Sequence, residues 1–237
     1  MLGVTAVVLC GGKGERMRPI TDTLPKPLVP LNGTPILAHL LRYLSGAGIQ
    51  RIVLCIGYRA QSIRQFVKDF NSAAEIVCVD SGDVGMTDRI LDAREHVPDR
   101  ALVCYGDTLA NVDLAELLSF HEEHGAGATL TVYPMQSPFG VVEVNDSGEV
   151  GGFQEKPRLP YWINIGYLLC ERDALDQMER NSGIPEFFAT LQSKGSLFAY
   201  LHRGKHLTIN TEKDRQLAES EVTEFYTVID PQGLVRR

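Results

Sequence analysis

An apolar run at residues 6–10 ends in Gly11-Gly12-Lys13-Gly14-Glu15-Arg16-Met17-Arg18-Pro19, and Leu24-Pro25-Lys26-Pro27 follows closely. A short apolar run closed by glycines reads as a buried strand. A glycine-rich loop leaving such a strand points to an α/β sheet that gathers ligands at its strand ends. Glycine also lets backbone N–H groups approach an anion and cradle it. Residues 13–26 carry Lys13, Arg16, Arg18 and Lys26 against only Glu15 and Asp22, a local positive excess in a chain of net charge −7. Neither generic phosphate loop fits: a dinucleotide fingerprint needs a third glycine where Met17 stands, and GxxxxGK[ST] is absent.

Strands and helices alternate through the first half. Thr34-Pro35 is expected to cap and open a helix lined by Ile36, Leu37, Leu40, Leu41 and Leu44. Residues 51–56, 75–79 and 101–105 read as strands. Ile63, Phe66, Val67 and Phe70 mark a helix, another lies around 88–95, and the capping box Asp113-x-x-Glu116 opens one that Gly125 stops. Strand signals crowd the second half at 128–133, 141–144, 150–154, 165–169, 197–201 and 207–209, with helices near 172–180, 185–194 and 212–219. The pattern predicts an α/β fold over residues 1–237, a single-domain Rossmann-like mixed sheet flanked by helices. Loops starting at Gly11, Ser81 and Gly106 then surround one cleft.

Composition narrows the partners. With 44% apolar and 22% charged residues the chain is neither disordered nor fibrous. No apolar run reaches the ~20 residues of a membrane span, and residues 1–9 have no basic leader, so a cytoplasmic protein without membrane contact is expected. The acidic balance, with no basic stripe, argues against nucleic acid. Cys10, Cys55, Cys78, Cys104 and Cys170 lie in or beside strand-like runs without metal spacing and are expected to be buried thiols.

GGKGERMRPITDTLPKPLVP resembles the signature of the sugar-1-phosphate nucleotidyltransferases, GGxGxRLxPxTxxxPKPxxP. The similarity continues through Tyr105-Gly106-Asp107, Phe120-His121, Phe139-Gly140, Phe153-Gln154-Glu155-Lys156-Pro157 and Trp162-Ile163-Asn164-x-Gly166, in the order seen in glucose-1-phosphate cytidylyltransferases. Gly85-Met86-Thr87-x-Arg89-Ile90 is similar to the base-side loop of that branch. The resemblance implies the nucleotide-diphospho-sugar transferase type of fold, with residues 1–125 mainly for the nucleotide, 126–220 mainly for the sugar phosphate, and 221–237 a tail. It implies the reaction of an NTP with a sugar 1-phosphate to give an NDP-sugar and pyrophosphate, Mg²⁺, and a homo-oligomer, with a dimer favoured. The resemblance slightly favours CTP over GTP as the NTP.

By the same resemblance Arg16 and Lys26 are catalytic, meeting the β/γ- and α-phosphates. Leu9, Gly11, Gly12, Lys13, Gly14, Gly85, Thr87, Arg89 and Gly106 bind the nucleotide. Gly140, Glu155, Lys156 and Asn164 bind the sugar phosphate, and Asp107 and Asn210 hold the metal. These residues suit an in-line displacement, in which the protein positions two polyanions and neutralises the leaving pyrophosphate. A phosphate monoester with a second pKa near ~6 is already a dianionic nucleophile at pH 7, so no general base is needed.

Three departures stand out. Asn210 replaces the family's second metal-binding aspartate: it is a weaker ligand, or Glu212 or Asp214 substitutes, or metal use differs, or it caps the helix that follows. Asp88 replaces a glycine beside the base. Residues 70–75 pass in a few residues through a place where the cytidylyltransferases carry a long insert. Trp162 is placed at the sugar mouth, to pack or to stack. The alternatives are nucleotidylation of a non-sugar phosphate or phosphonate, and a catalytically weak nucleotide-sugar-binding subunit, for which Asn210 is the only support.

Overall fold

Along Val4–Leu9 (β1), Ala6 and Val8 face one side and Val7 the other, and all three are fully buried. Burial on both faces makes β1 the centre of a sheet covered by helices on each side. The computed structural model describes residues 3–229. After β1 come the short β2 (Pro30–Leu31) and β3 (Thr34–Pro35), then α1 (Ile36–Gly46), β4 (Arg51–Ile56), α2 (Ala60–Asp69), β5 (Glu75–Asp80), α3 (Met86–Ala93), β6 (Arg100–Tyr105), β7 (Thr108–Ala110) and α4 (Leu114–Glu123). The second half adds β8 (Ala128–Gln136), β9 (Val141–Val144), β10 (Val150–Gln154), β11 (Arg158–Glu171), α5 (Arg172–Leu175), α6 (Ile184–Ser193), β12 (Leu197–Leu201), β13 (His206–Thr208) and α7 (Glu212–Ile229).

The main sheet has seven strands in the order β12-β8-β11-β6-β1-β4-β5. It is mixed, as expected, with β11 running antiparallel to both of its neighbours. Strand order reverses between β1 and β6: the chain moves outward through β4 and β5, then returns to the other side of β1. Ligand clefts form at such switch points. Alternation along the central strands splits the core in two. Ala6, Ile52, Leu54, Leu102 and Tyr167 pack on the α1 side, and Val7, Val53, Val103 and Cys170 pack on the α3 and α6 side. Four of the five cysteines are buried and Cys78 is half-buried. Burial pushes their thiols up, to about 12 at Cys55, so none is a reactive thiolate.

Several boundaries differ from the sequence pattern. Thr34-Pro35 does not open a helix. It forms a hairpin with Pro30–Leu31 across Asn32-Gly33, both at positive φ, and the helix begins at Ile36. The Asn-Gly pair is the turn signal that outweighs Thr-Pro as a cap. The helix near 172–180 stops at Leu175, because the chain peels away to meet α3: Arg180 pairs with Asp92 at 2.7 Å, and the Asn181 N–H donates to Asp88. The last helix continues past Glu219 to Ile229, with buried Ala218 and Val222 one turn apart and no glycine or proline before Pro231. The tail expected over 221–237 is thus helical to 229, and the remainder lies outside the described residues. No helix among the described residues is long and apolar enough to cross a membrane.

Candidate active site

Loops leaving β1, β5 and β6 enclose a cavity of about 800 Å³ beyond the strand ends, where the Gly106 N–H donates to the Leu9 carbonyl across the switch point. Leu9, Gly11, Gly12, Lys13, Gly14 and Arg16 line it from the glycine loop, and Lys26 lies behind them. Gly85 and Arg89 border it on one side, Gly106 and Asp107 form part of the floor, and Asn164 and Asn210 close the far wall. Thr87, Gly140, Glu155 and Lys156 are not in its lining.

The long loop is braced by its own turns and hydrogen bonds. It folds into three 3₁₀ turns, Glu15–Met17, Ile20–Asp22 and Lys26–Leu28. Gly14 sits in the left-handed region at φ 65°, and a Cβ there would come within 3.0 Å of both Lys26 and Thr21, so glycine is required twice over. The Thr21 hydroxyl donates to the Gly14 carbonyl at 2.9 Å, and the Tyr58 hydroxyl donates to the Thr21 carbonyl at 2.9 Å. These bonds bury Lys26 to 8% exposure, and its four-carbon stem runs under the loop to the cavity floor.

There the Lys26 ammonium donates to the Asp107 carboxylate and, at 2.9 Å, to Asn210 Oδ1. Arg16 donates to the same Asn210 oxygen at 2.8 Å. What joins Asp107 to the distant Asn210 is a two-stranded ribbon, β7 with β13, extended by a bond from the Ile209 N–H to the Asp107 carbonyl. Two of the alternatives for Asn210, the helix cap and replacement by Glu212 or Asp214, are answered at one helix end. Asp214 accepts the N–H groups of Asn210 and Thr211, and the Thr211 hydroxyl accepts the Asp214 N–H, a reciprocal capping box. Glu212 is engaged by Arg215 at 2.7 and 2.8 Å. Asn210 is therefore not the cap, and neither acid replaces it in the cleft.

Asp107 and Asn210 aim one carboxylate and one amide oxygen at a single cation, the Lys26 ammonium. Hard oxygen donors of this kind fit Mg²⁺, which takes one or two protein ligands and fills its other positions with phosphate and water. No group of three or more His, Cys, Asp or Glu placed to hold a metal occurs among the described residues.

The base-side loop departs from expectation. Thr87 is buried, and its hydroxyl donates to the Ser182 carbonyl at 2.5 Å, away from the cavity. Asp88 is likewise turned out of the cleft by the Asn181 N–H. Both side chains fasten α3 to the loop before α6. The Arg89 guanidinium is buried behind the glycine loop on carbonyl oxygens. At the mouth, Lys13 meets Asp83 at 2.7 Å; the pair raises the lysine and lowers the carboxyl. Sequence reasoning did not single out Asp83, which carries no motif.

On the acceptor side, Asn164 Oδ1 accepts the Gly166 N–H at 2.9 Å, which leaves its NH₂ as the donor toward the cavity. Glu155 and Lys156 lie in the bend after β10, side by side at 3.9 Å and about 60% exposed, outside the cavity wall. Gly140 packs under this bend, where a Cβ would strike the Phe153 ring. These residues share a hairpin arm because β9 and β10 pair only with each other. Trp162 is neither in the core nor in the cavity lining; the Arg203 guanidinium lies 5.7 Å over its ring.

Cations that line a switch-point cleft and are held in place by its own carboxylate and amide put this fold among the α/β proteins that handle nucleotide phosphates. The chain belongs to the nucleotidyl transferase family, whose profile matches residues 5–213. It is 31% identical to the glucose-1-phosphate cytidylyltransferase of Salmonella typhimurium over 90% of this chain and 94% of that one. It is 32% identical to mannose-1-phosphate guanylyltransferase 1 of Arabidopsis thaliana over 88% of this chain and 62% of that longer one. The fold is shared with HddC of Yersinia pseudotuberculosis, solved in complex with GMP-PN, at a TM-score of 0.72 and 20% identity over 92% and 99% of the two chains. These relationships set the chain among the sugar-1-phosphate nucleotidyltransferases, enzymes that generally use a divalent metal.

Proposed function

We propose that this chain transfers a nucleotidyl group from CTP, or less readily GTP, to glucose 1-phosphate or a related sugar 1-phosphate, releasing pyrophosphate. The observation that carries the reading is the buried Lys26 ammonium, held by Asp107 and Asn210 beside Arg16 at the floor of the cavity. The glycine loop offers N–H groups and the Arg16 guanidinium to the triphosphate, and Lys26 meets the charge that builds on the α-phosphoryl oxygens. A phosphate oxygen of the sugar phosphate attacks the α-phosphorus in line, and the bond to the pyrophosphate oxygen breaks. The nucleophile enters ionised, so no side chain need take a proton. Asp107 and Asn210 would hold Mg²⁺, which supplies neutralisation of phosphate charge. On this reading the Asn164 NH₂ meets the acceptor, and the exposed Glu155–Lys156 bend, which lies outside the cavity wall, closes over it when the acceptor binds.

A homodimer is supported by the apolar face that Val142, Val144, Val150 and Phe153 expose on the β9–β10 arm, and light scattering tests it. A non-sugar acceptor remains the second substrate class to assay. Pyrophosphate release measured over four NTPs and a panel of sugar 1-phosphates, with phosphocholine and a phosphonate as controls, decides the matter. CTP with a hexose 1-phosphate is expected to be fastest. Turnover confined to a control acceptor, or none with any pair, overturns the proposal.

A further inference from the structure

Arg89 has an unusual position for a side chain at a nucleotide cleft. It is 5% exposed and forms no ion pair among the described residues. Its guanidinium instead donates to three backbone carbonyls: Ile56 at 3.1 Å, Gly11 at 3.2 Å and Gly82 at 2.8 Å. Those carbonyls belong to the end of β4, the glycine loop and the loop after β5. A buried charge is tolerated only when its donors are satisfied, and the planar guanidinium reaches the three carbonyls from two separate nitrogens, Nη1 and Nη2, where an ammonium would offer its donors from a single point.

The space for this fork is made by glycines. A Cβ on Gly11 would lie 1.8 Å from Arg89 Nη1, and one on Gly57 would lie 2.6 Å from it. Gly11 is thus the first glycine of the loop motif for a reason other than phosphate approach, because it leaves room for the arginine.

Peptide geometry gives the arrangement a consequence. In a planar trans peptide the C=O of one residue and the N–H of the next point in opposite directions. Drawing the Gly11 carbonyl inward onto Arg89, and onto the Tyr58 N–H that also donates to it at 3.1 Å, turns the Gly12 N–H outward, and drawing in the Gly82 carbonyl, which Arg89 holds, does the same for Asp83. Gly12 and Asp83 both line the cavity, and neither N–H has a hydrogen-bond partner among the described residues. We propose that Arg89 is a positioning residue: by holding the Gly11 and Gly82 carbonyls it aims the N–H groups of Gly12 and Asp83 at the bound nucleotide from two loops at once. It acts through the backbone and does not read the base. This rests on the nucleotidyl-transfer reading for the identity of the ligand.

The test measures affinity for each of the four NTPs by calorimetry without acceptor, in wild type, Arg89→Lys and Gly11→Ala, alongside steady-state kinetics. Calorimetry keeps the inference testable even if no sugar phosphate proves to be a substrate, so its failure is separable from failure of the proposed reaction. Arg89→Lys keeps the charge but loses the fork, and Gly11→Ala expels the guanidinium by steric clash while leaving residue 89 an arginine. Both are expected to weaken every NTP by the same factor, ~10-fold for two misaimed donors to a charged ligand. The order of preference among the bases is expected to stay unchanged. KM for NTP should rise more than kcat falls, and millimolar guanidinium should restore part of the affinity of Arg89→Ala. A changed base preference in Arg89→Lys makes Arg89 a base contact and overturns the proposal. Unaltered NTP affinity in both folded variants does the same.

Discussion

Lys26 and Asp107 form a partly buried ion pair at the cavity floor, with the lysine side chain 10% exposed and the aspartate 26%. The pair sits where the glycine loop meets the end of β6, so each partner holds the other at the cavity floor without a substrate. Asn210 receives a second bond from the same ammonium. Three side chains far apart in sequence thereby form one preorganised cluster.

Removing the lysine should disable chemistry while leaving the sheet intact, since its stem runs through the loop and not through either core layer. Lys26→Ala is expected to lower kcat by ~100–1000-fold, the usual loss for a donor to developing transition-state charge. Circular dichroism would confirm folding, and near-normal pyrophosphate release would remove Lys26 from the mechanism.

The metal requirement is set by charge at two positions. Asp107→Asn leaves two amides facing the cation, so activity should fall by orders of magnitude with only partial recovery at high Mg²⁺. Asn210→Asp adds a carboxylate beside Lys26 and Arg16 and should lower the Mg²⁺ concentration for half-activity. Titrating Mg²⁺ against initial rate checks both, and an unchanged Mg²⁺ dependence in Asn210→Asp would rule out that position as a ligand.

Lys156 lies outside the cavity wall on the hairpin arm. If the arm folds over the acceptor, Lys156→Ala should raise KM for the sugar phosphate ~10-fold or more and leave KM for NTP nearly unchanged. Kinetics with each substrate varied in turn provide the check, and equal effects on both count against the role.

Lys13 and Asp83 bridge the mouth, so an incoming triphosphate competes with a carboxylate for the ammonium. Asp83→Asn is expected to lower KM for NTP a few-fold in dilute buffer. The gain should shrink in ~0.5 M salt, where exposed charges are screened. A KM that rises instead would mean that Asp83 helps to bind the substrate.

Acid stability should reflect two histidines held neutral. Burial lowers His39 to about 4, and burial together with His202 lowers His206 to about 4. Both groups titrate near 6.5 when unfolded. The unfolded chain therefore binds more protons between about 4 and 6.5, and stability rises with pH across that window. The unfolding free energy from urea titrations should fall as pH drops from 6.5 toward 4, by on the order of 1–3 kcal/mol per histidine. His206→Gln should flatten part of that slope, and an identical slope in the variant would contradict the assignment.

The sheet was legible because its strands are apolar runs of ordinary length, and the phosphate loop because glycine, proline and cations rarely crowd so closely. The β7–β13 ribbon was not. It is two three-residue strands from opposite halves of the chain, too short to carry a period, yet it brings Asp107 to Asn210. Thr87 was hard to place for the opposite reason: a residue in a ligand-binding motif can be buried away from the cavity, fastening the elements that support it. The Asn32-Gly33 turn was readable, but Thr34-Pro35 imitates a helix start and masked it.

The capping box at the start of α7 uses only Thr211 and Asp214. Residue 210 therefore contributes its backbone to the helix entry and its side chain to the cleft, and the two duties are separable. A chain built this way can vary the charge offered to the metal at that position without reworking the helix that follows, so catalytic tuning and folding are decoupled at a single peptide bond.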